Sequence, residues 1–138
     1  MNIQSLNGLS GRLVTKEHAD YHQSCEAWNR AIEKHPLAII FCESIDDVAN
    51  NVKQCYEHNV PFKIRSGRHH YEGLSSGDDC LVIDVSLLNE IVVDEVNQTV
   101  TLGGGVRNRE TYEALGAKGY PFPGGGCPTV GVAGFTLG

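Results

Sequence analysis

The sequence predicts an α+β fold, in which helices flank sheets that contain both parallel and antiparallel strands. A strand–helix–strand succession over residues 37–65 favours parallel pairing, because that is the usual arrangement of a β-α-β unit. Further along, two β-branched runs at 91–96 and 99–102 flank Asn97 and Gln98, which indicates an antiparallel hairpin. The chain of 138 residues has the length of one ordinary domain or of part of one.

The other elements are predicted from their own patterns. The apolar residues Tyr21, Cys25, Trp28 and Ile32 recur at helical spacing, which predicts a helix over residues 16–34. The remaining patterns predict a buried strand at 37–42, a helix from an N-cap at Ser44 with Asp47 to about residue 59, strands at 62–65 and 81–85, and a helix from a cap at Asn108 to about residue 118, ended by Gly119. Eleven of the sixteen glycines lie between residues 103 and 138, and residues 120–138 are predicted to form a loop.

Composition and charge exclude several classes of protein. The net charge is -6 with the basic residues dispersed, so neither nucleic acid nor an anionic membrane is an expected partner. The sequence shows no signal peptide and no apolar run approaching the roughly 20 residues that span a bilayer, which favours a cytoplasmic protein. Its five cysteines are an odd number without a CxxC pair, so no disulfide scaffold and no metal site are expected. Because the chain stops at Gly138, inside a glycine-rich segment, we expect it to be part of a longer protein.

The first segment with candidate chemistry is the polar loop that follows the strand at 62–65. Successive backbone N–H groups in such a loop can bind an anion, and Arg65 and Arg68 add positive charge. A phosphate-bearing ligand would suit this loop. The alternative is a polar surface turn in which His69 and His70 face solvent.

The second segment is the glycine-rich stretch at 124–134, which contains Cys127. Because its neighbours lack side chains, a large flat ligand could approach the backbone and meet the sulfur directly. Thiol reactivity also requires a lowered pKa, which a sequence does not reveal. The alternative is a glycine-rich connection that holds an inert buried cysteine.

Together the two segments resemble the FAD-binding domain of the berberine-bridge-enzyme-like flavoproteins, which has the PCMH-type fold of the vanillyl-alcohol-oxidase group. The family pattern Arg-Ser-Gly-Gly-His-x-Tyr-Glu-Gly is met, except for Arg68 at its second glycine, by Arg65, Ser66, Gly67, His69, Tyr71, Glu72 and Gly73. The family pattern Gly-x-Cys-Pro-x-Val-Gly-x-x-Gly is met by Gly125, Cys127, Pro128, Val130, Gly131 and Gly134. Two such motifs in the right order are a specific signal.

This resemblance implies that residues 1–138 are the N-terminal part of an FAD-binding domain. The substrate domain and the catalytic base are then expected outside this chain, which is expected to be inactive alone. The family histidine that matches His69 bonds to the flavin 8-methyl carbon, and the cysteine that matches Cys127 bonds to ring carbon 6. The residues expected to bind FAD are Arg65, Ser66, Gly67, Arg68, His69, His70, Cys127, Val130, Gly131 and Gly134.

The resemblance also implies a reaction, namely removal of hydride from a C–H bond of a bulky alcohol or carbohydrate-like small molecule. In the family, the residue that matches Val130 lies near the oxygen-access side of the ring, and valine there resembles oxidases that produce hydrogen peroxide from oxygen. One alternative is a noncovalent or singly tethered FAD dehydrogenase with another electron acceptor. Another is a flavin-free structural or coat protein that keeps the fold. The oligomeric state is not predicted.

Overall fold

The computed structural model describes Leu6 and residues 8–138, and it confirms the predicted α+β fold with parallel and antiparallel strand pairing. The elements in chain order are β1 (Arg12–Thr15), α1 (Tyr21–Cys25), β2 (Ala38–Phe41), α2 (Ile45–Glu57), β3 (Phe62–Arg65), β4 (Leu81–Asp84), β5 (Ile91–Asp94), β6 (Thr99–Leu102), α3 (Asn108–Gly116) and α4 (Val132–Leu137). Within these residues, no helix has both the length and the apolar character needed to cross a membrane.

The central sheet has the strand order β1-β2-β4-β3. Strands β2 and β3 are both parallel to β4, which lies between them, whereas β1 pairs antiparallel with β2. The prediction of parallel strands is therefore confirmed, although β4 separates the two strands of the predicted β-α-β unit. The central strands β2 and β4 are buried on both faces, so successive residues are apolar rather than alternating, except for Asp84 at the end of β4.

Helix α2 covers one face of this sheet and begins as predicted. The Ser44 hydroxyl accepts a hydrogen bond from the Asp47 N–H at 3.1 Å, and the Asp47 carboxylate accepts one from the Ser44 N–H at 3.0 Å. This reciprocal pair satisfies two N–H groups that the helix itself cannot bond. The face that carries Val48, Val52 and Cys55 packs against the apolar core that includes Ile40.

The predicted helix over residues 16–34 is wrong, because only Tyr21–Cys25 is helical. The Tyr21 hydroxyl donates to the Pro36 carbonyl at 2.6 Å, and the Trp28 N–H donates to the carbonyl of Arg68 at 2.9 Å. These distant partners draw the chain after residue 25 into a loop that lies over residues 68–71.

Other differences lie near the N-terminus and in the glycine-rich half. Strand β1 is not predicted, because its four residues form a strand through pairing with β2, a partner distant in the sequence. Asn108 is the first residue of α3, and Arg107 takes the N-cap position, where its N–H donates to Glu110. The segment predicted as a loop contains α4, whose first residue, Val132, is buried and donates its N–H to the Val106 carbonyl at 2.9 Å. The predicted hairpin is confirmed as β5–β6.

Candidate functional site

The site begins where β3 and β4 end side by side, at the paired residues Arg65 and Asp84. The Arg65 Nε donates to Asp84 Oδ2 at 2.7 Å, and its Nη1 donates to the Ser24 carbonyl at 2.9 Å. The two charged side chains are 2% and 0% exposed. Arg65 therefore lies inside the molecule and anchors the base of the following loop. Its Nη2 has no partner in the part of the chain that the structure describes.

Arg68, the departure from the family motif, has a left-handed backbone with φ of 61°. Glycine adopts this conformation without steric cost, which explains the glycine at this place in the family pattern. The arginine side chain turns inward, with its Nη2 3.5 Å from Asp84 Oδ2. Burial lowers the pKa of Arg68, and the nearby charge of Arg65 lowers it further. The loop thus accommodates the arginine in a left-handed conformation and directs its positive charge toward Asp84.

The loop after β3 directs its carbonyl groups toward residues 28 and 29. The Arg68 carbonyl accepts from the Trp28 N–H, and the Tyr71 carbonyl accepts from the Asn29 side chain at 2.8 Å. In contrast, none of the backbone N–H groups from residue 66 to residue 71 finds an acceptor among the described residues. Successive N–H groups without an internal acceptor can bind an anion such as a phosphate.

The two motifs meet through two glycines, Gly67 and Gly131. A Cβ atom built on Gly67 would lie 2.4 Å from the backbone nitrogen of Gly131. One built on Gly131 would lie 2.8 Å from both the Gly67 nitrogen and the Ser66 hydroxyl. Because this is a contact between two backbones, neither position accepts a side chain without a shift. Ser66 adds to the contact region by donating to the Gly104 carbonyl at 2.6 Å.

This contact brings His69 and Cys127 together around one hydroxyl group. The His69 Nε2 lies 2.8 Å from Thr129 Oγ1, and the Cys127 sulfur lies 3.4 Å from the same oxygen. The distance between Nε2 and the sulfur therefore cannot exceed the sum of these two values. Cys127 is exposed, whereas the other four cysteines are buried or partly buried. The structure thus holds two nucleophiles side by side, with the sulfur open to a ligand.

The imidazole of His69 is held in place from a second side by Trp28. The two rings are stacked, with centroids 5.4 Å apart and planes inclined by 24°. Partial burial lowers the pKa of His69, and the positive charge of Arg107 lowers it further, which favours the neutral imidazole. A neutral imidazole with an available lone pair is a nucleophile.

Residues at the start of α3 hold the segment around Cys127 through hydrogen bonds. The Asn108 side chain donates to the Cys127 carbonyl at 3.0 Å, and Arg107 Nη1 donates to the Thr129 carbonyl at 2.9 Å. The hydrogen bond to Thr129 is the main cause that lowers the pKa of the Cys127 thiol. A lower thiol pKa increases the fraction of thiolate, which is the nucleophilic form.

The remaining residues predicted for the site have different positions. His70 is exposed, and its Nδ1 accepts from the Glu72 N–H at 3.1 Å. Val130 is half-buried, and its carbonyl accepts from the Asn108 N–H at 3.0 Å. Gly134 lies within α4 with open space around it. Sequence reasoning missed Thr129, because the family pattern accepts any residue at this position, and it assigned Trp28 to a helix.

The chemistry of this site fits a flavin nucleotide. The loop of one motif has several backbone N–H groups without an acceptor among the described residues, and an imidazole and a thiol lie at the junction of the two motifs. The fold and the site thus define a flavoprotein of the PCMH type.

Comparison with known proteins identifies the family. The FAD binding domain family matches residues 36–138. The uncharacterized FAD-linked oxidoreductase YgaK of Bacillus subtilis is 37% identical over 130 residues, which cover 94% of this chain and 29% of that protein. Among solved structures, BBE-like 1 of Physcomitrella patens matches with a TM-score of 0.88 and 30% identity, over 98% of this chain and 30% of that one. The 6-hydroxy-D-nicotine oxidase of Arthrobacter nicotinovorans matches with a TM-score of 0.84 and 25% identity, over 91% and 28%.

This chain belongs to the FAD-binding-domain family of FAD-linked oxidoreductases, and its cofactor is FAD. The chain spans about 30% of the length of the relatives that it matches. The predicted family, fold and cofactor are thereby confirmed, with this chain corresponding to the N-terminal part.

Proposed function

We propose that this chain holds FAD through two covalent bonds, one to His69 and one to Cys127, in an oxidase whose substrate domain lies outside these 138 residues. The observation that carries the proposal is the shared contact of both side chains with Thr129. The 8-methyl group is a substituent of the same six-membered flavin ring that contains carbon 6. Two nucleophiles that attack these carbons must lie about as close together as this contact holds them.

The surroundings of both nucleophiles favour their reactive states. Burial and Arg107 favour a neutral imidazole at His69, and the hydrogen bonds around Thr129 favour a thiolate at Cys127. Since Nε2 of His69 contacts Thr129, Nδ1 is the nitrogen left to form a bond. When bound, FAD would supply the electrophilic carbons. Each attachment would replace one C–H bond of the flavin by a bond to His69 or Cys127 and would release two electrons and two protons, one proton from the carbon and one from the nucleophile; we propose that dioxygen accepts them and is reduced to hydrogen peroxide.

The proposed reaction of the complete enzyme is hydride removal from a bulky alcohol or carbohydrate-like substrate, with dioxygen as the electron acceptor. Oxidase activity is supported by Val130 and by the relative whose name states that it is a 6-hydroxy-D-nicotine oxidase. Two bonds on one edge of the ring would fix the cofactor while leaving its face open, and an open face accommodates a large substrate. The compound in the name of that relative, 6-hydroxy-D-nicotine, is an amine, so an amine should be tested beside alcohols and carbohydrates.

Mass spectrometry of the denatured full-length protein tests the covalent attachment. The wild type is expected to carry one FAD that survives unfolding, on peptides that contain His69 and Cys127. The variants H69A and C127A should each keep a single bond, and the double variant should release its flavin. H58A is the matched control, because His58 is an exposed histidine at the end of α2, outside both motifs, so this variant should keep both bonds.

Two outcomes would contradict the proposal at different levels. Complete release of flavin from the denatured wild type would exclude covalent attachment and favour a noncovalent enzyme. Retained flavin that is reduced by alcohols, carbohydrates or amines but is not reoxidised by oxygen, with no peroxide formed, would identify a dehydrogenase instead.

A further inference from the structure

Thr129 lies between the two proposed attachment residues. The family motif accepts any residue at this position, so it does not explain why a threonine is found there. Its hydroxyl contacts His69 on one side and Cys127 on the other. Its carbonyl is held by Arg107, and the neighbouring Cys127 carbonyl is held by Asn108, so its backbone position is defined. The stacked Trp28 limits rotation of the imidazole toward or away from the hydroxyl.

We propose that Thr129 is a positioning residue. It holds His69 as a neutral imidazole and Cys127 as a thiolate, ready for covalent attachment of the flavin. This inference rests on the proposed function. In this role the hydroxyl accepts a hydrogen bond from the imidazole and donates one to the sulfur.

A count of protons shows why a hydroxyl is suited to this task. A threonine hydroxyl donates one hydrogen bond and accepts others. If His69 Nε2–H donates to Oγ1, the hydroxyl proton is free to point at the Cys127 sulfur, which then accepts as a thiolate. The imidazole remains neutral, with its lone pair on Nδ1. In the opposite arrangement the thiol donates to Oγ1 and the hydroxyl donates to Nε2. The sulfur then keeps its proton, and the lone pair of the imidazole lies on Nε2, which Thr129 already occupies, so neither group is reactive.

The charged surroundings agree with this direction. Arg107 is the charged group that acts on the His69 ring, and its positive charge disfavours an imidazolium there. Arg68, the other cation of this region, is turned inward toward Asp84. The ring stacked on His69 belongs to Trp28, which has no titratable group.

Three variants of the full-length protein separate the hydroxyl from the shape of the side chain. T129V removes the hydroxyl and keeps a branched side chain of similar size, whereas T129S keeps the hydroxyl and removes the methyl group. T101V is the control, because Thr101 is an exposed threonine of strand β6. Apoprotein from riboflavin-starved cells serves two measurements: alkylation of Cys127 by iodoacetamide as a function of pH, and the time course of FAD attachment at each residue, both read by peptide mass.

We expect T129V to require a higher pH for alkylation and to attach FAD roughly tenfold more slowly at both residues, the effect of losing one hydrogen bond to a charged group. T129S and T101V should resemble the wild type. A T129V protein that equals the wild type in either measurement would overturn the proposal, as would a T129S protein impaired as strongly as T129V, since the methyl group would then be the cause.

The same experiment distinguishes this inference from the proposed function. If wild-type apoprotein attaches no FAD, the covalent function fails, whereas the alkylation profile still shows whether Thr129 controls the Cys127 thiol. If FAD attaches normally in all variants, the function holds and the role of Thr129 is wrong.

Discussion

Replacement of Gly67 by alanine tests the contact that joins the two motifs. The new Cβ would lie 2.4 Å from the Gly131 nitrogen and 2.7 Å from its Cα, whereas ordinary contacts begin at 3.4 Å. The two backbones must therefore separate by about 1 Å. Gly67 does not have a positive φ, so lack of space is the only local obstacle to alanine. Overpacking of this kind costs about 1–3 kcal/mol of folding stability.

The larger effect of G67A is expected on attachment of the flavin. A displacement of about 1 Å between reacting groups can slow a reaction by about a hundredfold. We therefore expect FAD attachment at Cys127 to slow by about that factor, while most of the protein remains folded. The assay is peptide mass after timed addition of FAD to apoprotein, with urea denaturation to measure stability.

G116A is the control for this prediction, because Gly116 is exposed at the end of α3, outside both motifs. No atom lies within 4 Å of a Cβ built there, and its φ is also not positive. It should attach FAD at the wild-type rate. Attachment by G67A at that rate, or equal slowing by G116A, would refute the reasoning from close approach.

Three further predictions concern the surroundings of the site. D84N should lower the free energy of unfolding by about 3–5 kcal/mol in urea denaturation, because it leaves the buried Arg65 without its counter-charge. W28A should slow attachment at His69 more than at Cys127 in peptide mass analysis, and W28F should largely restore it, because phenylalanine keeps a ring for stacking. In alkylation across a pH series, the Cys127 thiolate should be half-formed below the pH typical of free thiols, because hydrogen bonds lower its pKa. A midpoint above that pH would contradict the last prediction.

Strands β2, β3 and β4 and helix α2 are predictable because their signals are local. The capping pair of Ser44 and Asp47 lies within one helical turn, and β2 and the first three residues of β4 are short apolar runs. The helix predicted over residues 16–34 fails for the opposite reason. Its apolar spacing is correct, but Trp28 bonds to the loop at Arg68 rather than to its own helix, and periodicity contains no information about that partner.

Prediction of the site has the same limit. His69 and Cys127 can be found because each lies in a motif whose spacing resembles a known family. Thr129 acquires its importance only through contact with a histidine 60 residues away. The inward orientation of Arg65 and Arg68 is equally non-local, since it depends on the buried Asp84 of a neighbouring strand.

The glycine contact between residues 67 and 131 also has a consequence for the order of events during biosynthesis. It connects segments that the ribosome releases well apart in time, and contacts of large sequence separation form late because their loops are entropically costly to close. Until it forms, the imidazole and the thiol lie on segments that move independently, so the double attachment proposed above could not be completed. If that proposal holds, flavin bound at both residues should report that folding of this region is complete, and a colourless polypeptide should mark molecules that stalled before that point.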